Sequence, residues 1–364
     1  MQKLTQRLTI AVFALVLLGF MVLHLLLPDG TISRAERRKL QQFPAVSSEA
    51  LLSAEFSEDV EDYLLDQFPF RDSFRTLKAV WTYDLLGQKD NNGIYIAEGT
   101  ASKLDATLDE KQLKLFTDKM NSLHETYFPQ ANVYCAVIPD KNYYLAPSHG
   151  YPTLDYEKLF STVEEALPWA THVDLTGSLT AADYYATDSH WRQEKLQKVV
   201  DTLAAAMDLT LPAWESYTPH TLSGFQGVYY GQAALPLPAE DLIYLTNEIT
   251  EGCTVSGPEN PSPTVYDPAK FENLDGYDVF LSGAQAVLTI ENPNAVSDKN
   301  LVIFRDSYGS SLTPLLLGGY RTVTLVDVRY VASQYLGQFV DFSQVDDVLL
   351  LYSTTVINSA GILR

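Results

Sequence analysis

Cysteine is almost missing from this 364-residue chain: Cys135 and Cys253 are the only two, too few for a disulfide scaffold. Cys135 sits in the apolar run Val133-Tyr134-Cys135-Ala136-Val137, which favours a buried free thiol. A single bridge to Cys253 stays open if the chain folds in an oxidising compartment. Basic side chains are scarce as well, 25 Lys and Arg against 46 Asp and Glu, for a formal charge of -21. Nucleic acid is excluded as a partner, because binding phosphates needs a basic footprint. No histidine, cysteine or carboxylate grouping has metal-ligand spacing, and no glycine-rich phosphate loop is present. No metal and no cofactor are therefore expected. Internal repeats and low-complexity tracts are also lacking.

What is there suits a globular protein. The 46% hydrophobic content is ordinary for a folded domain, and the length allows one large domain or two smaller ones. Leu8 to Leu27 is apolar apart from Thr9, Gly19 and His24, and about 20 such residues cross a hydrocarbon core of roughly 30 Å. The run ends Leu26-Leu27-Pro28-Asp29-Gly30 without a small-x-small exit. The pattern predicts a cytoplasmic tail and an uncleaved signal-anchor over residues 1–28, with a cleaved signal peptide as the alternative. Lys3 and Arg7 precede the run, and Arg34, Arg37, Arg38 and Lys39 follow it. Charge counting alone would keep the large domain inside, yet short tails also stay inside, so charge leaves orientation open.

Residues 29–100 read as a connector followed by a helical region. Apolar spacing predicts a helical hairpin, Glu49–Phe68 and Phe70–Leu86, broken at Phe68-Pro69. The turn Asn91-Asn92-Gly93 leads into a short strand Ile94-Tyr95-Ile96. An amphipathic helix is predicted over 109–127. From there buried strands alternate with helices: strand Ala131–Ile138, helix Asp155–Ala166, strand His172–Leu175 and helix Trp191–Met207. Strands Asn300–Phe304, Thr322–Val328 and Asp347–Tyr352 follow. That rhythm predicts an α/β sandwich with a mostly parallel sheet over 101–364. A Pro-, Gly- and Tyr-rich stretch at about 210–298 interrupts it as a β-rich insertion.

Two stretches carry chemistry. Leu301-Val302-Ile303-Phe304 runs into Arg305-Asp306-Ser307-Tyr308-Gly309, placing Ser307 where a parallel strand ends and a helix begins. Open α/β sheets bind ligands at that edge, and free N–H groups at a helix start stabilise a developing oxyanion. Asp306 or Ser307 as a plain helix cap is the alternative. Tyr184-Tyr185-Ala186-Thr187-Asp188-Ser189-His190-Trp191 lies between a strand and a helix. A serine nucleophile needs a base, and the base needs an orienting carboxylate. Asp188 and His190, two residues apart in an extended loop, can serve one serine; a capped loop histidine is the alternative.

Asp188-Ser189-His190-Trp191 resembles the Asp-x-His-Trp signature of the DHHW family and of AlgX/AlgJ-like proteins of alginate O-acetylation. Arg305-Asp306-Ser307-Tyr308-Gly309 is similar to their serine block, the counterpart of the Gly-Asp-Ser block of SGNH hydrolases. The likeness extends to Arg37-Arg38 through Phe43-Pro44, and to Asp66-Gln67-Phe68-Pro69-Phe70-Arg71. It also takes in Ile138-Pro139-Asp140-Lys141, Asp275-Gly276-Tyr277 and Asp327-Val328-Arg329-Tyr330. It implies an SGNH-like α/β/α fold held outside the cytoplasm by the N-terminal anchor in the cell membrane. The implied activity is acetyl transfer to, or removal from, cell-surface polysaccharide. A multi-pass acyltransferase of the MBOAT type would handle the donor. Ser307 would be the nucleophile, His190 the base and then acid, and Asp188 its orienter.

Two positions depart from the pattern. Arg305 replaces the glycine before Asp-Ser, and Ser282-Gly283-Ala284 stands where relatives often have Gly-Gly-Asn. Ala284 has no side-chain amide for an oxyanion, and one such donor is worth about 3 kcal/mol. Backbone N–H groups near Ser307 and Gly283 would have to compensate. Arg329 is a candidate for a sugar carboxylate or carbonyl oxygen, with an ion pair as the alternative. Tyr308 and Trp191 are candidates to stack on sugar, with packing beside the loop as the alternative. Asp140 and Lys141 read as a structural loop pair. The rival to an enzyme is a catalytically silent envelope protein that binds polysaccharide or an acyltransferase partner.

Overall fold

The structure, a computed structural model, describes residues 2–259 and 263–364. The apolar run forms α1 (Gln2–Leu26). Its Lys3–Leu26 stretch has mean hydropathy 2.6, is long and apolar enough to cross a membrane, and has no buried residue in its most apolar window. Two short antiparallel strands follow, β1 (Ile32–Ser33) and β2 (Arg38–Lys39). The hairpin then forms as α2 (Ala54–Asp66) and α3 (Arg71–Val80), with a π turn at Trp81–Leu85. α2 begins later than the apolar spacing predicts because the Ser53 side chain caps it, accepting from Phe56 N. Strands β3 (Ile94–Ala97) and β4 (Thr100–Lys103) pair with each other.

The main body begins with α4 (Glu110–Tyr127), capped by Asp109, and β5 (Asn132–Ile138). After β5, α5 (Lys141–His149) starts on an Asp140 cap that accepts from Asn142 N. Then come α6 (Tyr156–Ala166), β6 (Thr171–His172) and α7 (Gln197–Met207). The strand expected at 172–175 shrinks to two residues because Asp174 turns the chain, accepting from Thr176 N and Oγ. The helix expected from Trp191 is delayed to Gln197 for a tertiary reason. The Trp191 indole and the Gln193 amide instead donate to Ser311.

Beyond α7 lie β7 (Thr218–Phe225), α8 (Val228–Ala233), β8 (Glu240–Thr246), α9 (Glu248–Gly252), β9 (Thr254–Ser256) and β10 (Val287–Glu291). The last elements are β11 (Asn300–Arg305), α10 (Gly309–Leu316), β12 (Thr322–Val326), β13 (Asp347–Ser353) and α11 (Thr354–Ile357). The stretch read as an insertion divides. β7 and β8 pair only with each other, whereas β9 and β10 join the central sheet.

That sheet has seven strands in the order β6-β5-β13-β11-β12-β10-β9. The first five run parallel, and β10 and β9 add an antiparallel edge. Alternate residues of β11 face opposite layers. Leu301 and Ile303 pack with α7 and α10, while Val302 and Phe304 pack with α4, α6 and α11. The central strand β13 is buried at every position, as a strand covered by helices on both faces must be. This is the SGNH-like α/β/α sandwich with a mostly parallel sheet. Cys135 and Cys253 are both free thiols, and burial pushes Cys135 up to about 12.

Candidate active site

The site forms at the carboxyl end of β11. Asp306 fastens this corner. One carboxylate oxygen accepts from Tyr308 N at 3.0 Å and the other from Ser353 N at 2.8 Å, tying the ends of β11 and β13 together. Gly309 N and Ser310 N bond back to the carbonyls of Asp306 and Ser307. The Ser307 N–H has no acceptor among the described residues and stands free at the head of α10. Asp306 thus builds the turn, and Ser307 is left half-buried with a usable hydroxyl.

Asp188 and His190 arrive from a loop closed by an antiparallel bridge between Tyr184 and Trp191. Glu240 of β8 holds its near side, accepting from Ala186 N, Thr187 N and Thr187 Oγ. Trp191 Nε1 donates to Ser311 Oγ at 2.9 Å, and Tyr308 Oη donates to the Ser189 carbonyl at 2.6 Å. Loop and α10 are therefore locked together. His190 Nδ1 donates to Asp188 Oδ1 at 2.6 Å, and Ser307 Oγ lies 2.7 Å from His190 Nε2. With Nδ1 protonated toward the carboxylate, Nε2 is the acceptor for the serine proton. The Tyr277 ring stacks on the imidazole at 3.9 Å, and its hydroxyl donates to Ser311 Oγ.

A fourth residue completes this geometry. Arg37, in the connector just after the apolar helix, donates from Nη2 to Asp188 Oδ2 at 2.8 Å and from Nη1 to Asp275 Oδ2 at 2.9 Å. Val228 N also donates to Asp188 Oδ2. Burial pushes the Asp188 carboxyl up, but the charges of Arg37 and His190 and the bonds from His190 outweigh it. The group is held well below the usual carboxylate range. Asp275 also accepts from Tyr277 N, so the connector, the loop and the ring on His190 share one network. The connector is itself clamped: Arg38 makes a two-pronged pair with Asp66, and Arg71 pairs with Glu36. The resemblance covered Arg37, Arg38, Asp66 and Asp275, but nothing in their spacing reveals that Arg37 meets Asp275 and Arg38 meets Asp66.

The other candidates fall in different places. Trp191 is fully buried and its N–H is satisfied, so its ring packs rather than faces a ligand. Tyr308 is buried edge-on against Trp191. Arg329 clasps Asp327 with both prongs, at 2.8 and 2.6 Å, so the ion pair holds its guanidinium. Gly283 N donates to the Phe280 carbonyl within its own turn, and Ala284 points outward. Arg305 is buried, paired to Asp327 at 3.5 Å. Asp140 and Lys141 take separate partners: Asp140 accepts from Tyr156 and Thr354, and Lys141 Nζ donates to the carbonyls of Ala101 and Tyr185.

Asp278 lines the wall beside the Gly283 turn, and burial and the neighbouring Asp275 push its carboxyl up to about 6. A carboxyl raised above its unfolded value weakens the fold at pH values where it is charged. The penalty is absent below about pH 4 and complete above about 6. Asp278→Asn is therefore expected to stabilise by about 1–2 kcal/mol at pH 8, after allowance for partial solvent screening. No gain is expected at pH 4. Melting temperatures of both forms at the two pH values check this.

No family model matches the chain, and neither does any curated protein sequence. Solved structures do match. A DHHW family protein from Eubacterium siraeum has a TM-score of 0.61 at 20% identity, covering 75% of this chain and 95% of the other. Bacillus cereus PatB1, solved with a sulfonyl adduct, has a TM-score of 0.54 at 17% identity, covering 72% and 94%. The O-acetyltransferase domain of Pseudomonas putida AlgJ lies further off, with a TM-score of 0.45 at 9% identity, covering 73% and 92%. The chain has the fold of the DHHW family protein and of PatB1.

Proposed function

We propose that the chain is a membrane-anchored, extracytoplasmic O-acetyltransferase or acetylesterase acting on cell-surface polysaccharide through an acyl-Ser307 intermediate. The observation that carries this is the unbroken line from Asp188 through His190 to the Ser307 hydroxyl, with 2.6 and 2.7 Å contacts. Ser307 Oγ attacks the acyl carbonyl while His190 Nε2 takes its proton, and the charged Asp188 stabilises the imidazolium. The negative charge on the carbonyl oxygen falls to the free Ser307 N–H at the head of α10. Collapse expels the leaving group, which takes the proton from His190, and leaves an ester on Ser307. A sugar hydroxyl or water then gives its proton to His190 and attacks that ester, and Ser307 leaves with the proton returned.

The acetyl group, the polysaccharide and the MBOAT-type donor partner rest on the resemblance of the Asp188–Trp191 and Arg305–Gly309 blocks. So does the outside placement of the domain. The second reading, a silent polysaccharide-binding protein, is favoured by one observation: Ala284 and the occupied Gly283 N–H leave the oxyanion few donors.

Incubating the detergent-solubilised full chain with a sulfonyl fluoride or an activated acetyl ester, followed by intact mass measurement, separates the two. One adduct per chain is expected on wild type, none on Ser307→Ala, and a rate about 10²–10⁴-fold lower for His190→Ala, the usual contribution of a general base. A folded wild type that takes no adduct sinks the enzymatic reading and leaves binding.

A further inference from the structure

The geometry points to the α2–α3 hairpin as a second membrane contact: its apolar edge lies in the acyl-headgroup boundary of the bilayer that α1 crosses. This rests on the reading of α1 as a membrane span. Phe70, Phe74, Leu77, Trp81 and Leu85 recur at the spacing of one helical face and are 43–64% exposed. Five large apolar side chains on one stripe are far more than scattered surface residues. The opposite face of α3 is the one that meets the domain. Ala79 is buried with Tyr229 and Ala233, and Arg75 donates to the Gly231 carbonyl.

The occupant of that stripe follows from what lies beside it. Phe68 stacks on Phe20 of α1 at 5.3 Å, Phe74 meets the same ring at 5.6 Å, and Tyr63 meets His24 at 5.5 Å. Phe20 is six residues before the end of α1, roughly 9 Å along the axis at 1.5 Å per residue. If α1 spans, the hairpin's apolar edge is therefore level with its last turns, within the roughly 5–10 Å that an interfacial helix sinks. A protein partner would have to occupy the plane of the lipid itself. The exposed face of α2 carries Glu55, Glu58, Glu61 and Asp62, so apolar burial rather than attraction to anionic lipid drives the contact. The consequence is a fixed stance: β1 and β2 hold Arg37 between span and hairpin, so the proposed site sits against the bilayer rather than on a free tether.

Trp81 is the probe. The full chain is reconstituted into phosphatidylcholine nanodiscs whose acyl chains are either plain or brominated near the headgroup end. The Trp81 emission is isolated by subtracting Trp81→Phe. Most of that emission is expected to be lost in brominated discs and spared by aqueous iodide. A tryptophan placed at the exposed Asp72 in the Trp81→Phe background should behave the opposite way. Emission insensitive to bromine and quenched by iodide would overturn the inference. So would shielding from both quenchers with two chains per disc, since a second copy would then cover the stripe. A chain that fails to enter the discs refutes the span itself, a result distinct from failure of the hairpin contact.

Discussion

Arg37→Met is expected to slow acylation of Ser307 by about 10²–10⁴-fold while the chain stays folded. Removing one partner of a buried ion pair costs about 3–5 kcal/mol, and each 1.36 kcal/mol in a barrier is a factor of ten. Asp188 is fully buried and Arg37 is its cationic clamp from outside the loop. Without Arg37 the largest charge opposing burial is lost, and the carboxyl rises toward protonation. A neutral Asp188 no longer stabilises the imidazolium that forms as Ser307 attacks. The rate should then recover only at higher pH, because the active form needs Asp188 ionised. The low-pH limb of the rate profile moves upward, with partial rescue by Arg37→Lys. Stopped-flow acylation with an activated acetyl ester across pH measures this. An unshifted profile would mean that Arg37 only braces the connector.

The second large effect is expected at Gly231, far from Ser307 in sequence. A Cβ at this position would lie 1.6 Å from the Ala35 carbonyl oxygen and 2.4 Å from its carbon. Backbone cannot yield that far, so Gly231→Val must push the connector off α8. Arg37, two residues on, leaves Asp188 with it. Acylation is therefore expected to fall nearly as far as in Arg37→Met, and the double variant should be little worse than either. Such non-additivity is the sign of two changes acting through one contact. Additive losses in the kinetic measurement would show that Gly231 matters for another reason. Circular dichroism melts separate this from unfolding, since the sheet core does not include residue 231.

Much of the fold can be read from local pattern. Apolar runs such as Leu301–Phe304 and Val348–Leu351 are too continuous for a surface strand, and their alternation with amphipathic helices implies a covered parallel sheet. The helix α4, the break at Phe68-Pro69 and the turn before Ile94 also follow from periodicity and caps within a few residues. The start of α2 and the short β6 are set by local side-chain caps at Ser53 and Asp174, but the other misses share a long-range cause. α7 starts late because Trp191 and Gln193 bond to Ser311, over a hundred residues away. β10 joins the sheet through pairing with distant β12, and β9 through pairing with β10, which no local window contains.

The sequence by itself determined the apolar helix, the layered α/β core, and the identity of Asp188, His190 and Ser307 as residues worth watching. These depend on side-chain period and on short motifs, both of which are local properties. Only the tertiary structure decided that His190 reaches Ser307, that Tyr277 lies on its ring, and that Arg37 closes the network on Asp188. It also decided that Trp191 and Arg329 spend their polar groups inside the protein rather than on a ligand. Apart from the Arg329–Asp327 pair, which is local, each of these is a contact between segments tens to hundreds of residues apart. Such contacts are set by how the layers pack, and spacing along the chain carries no record of that.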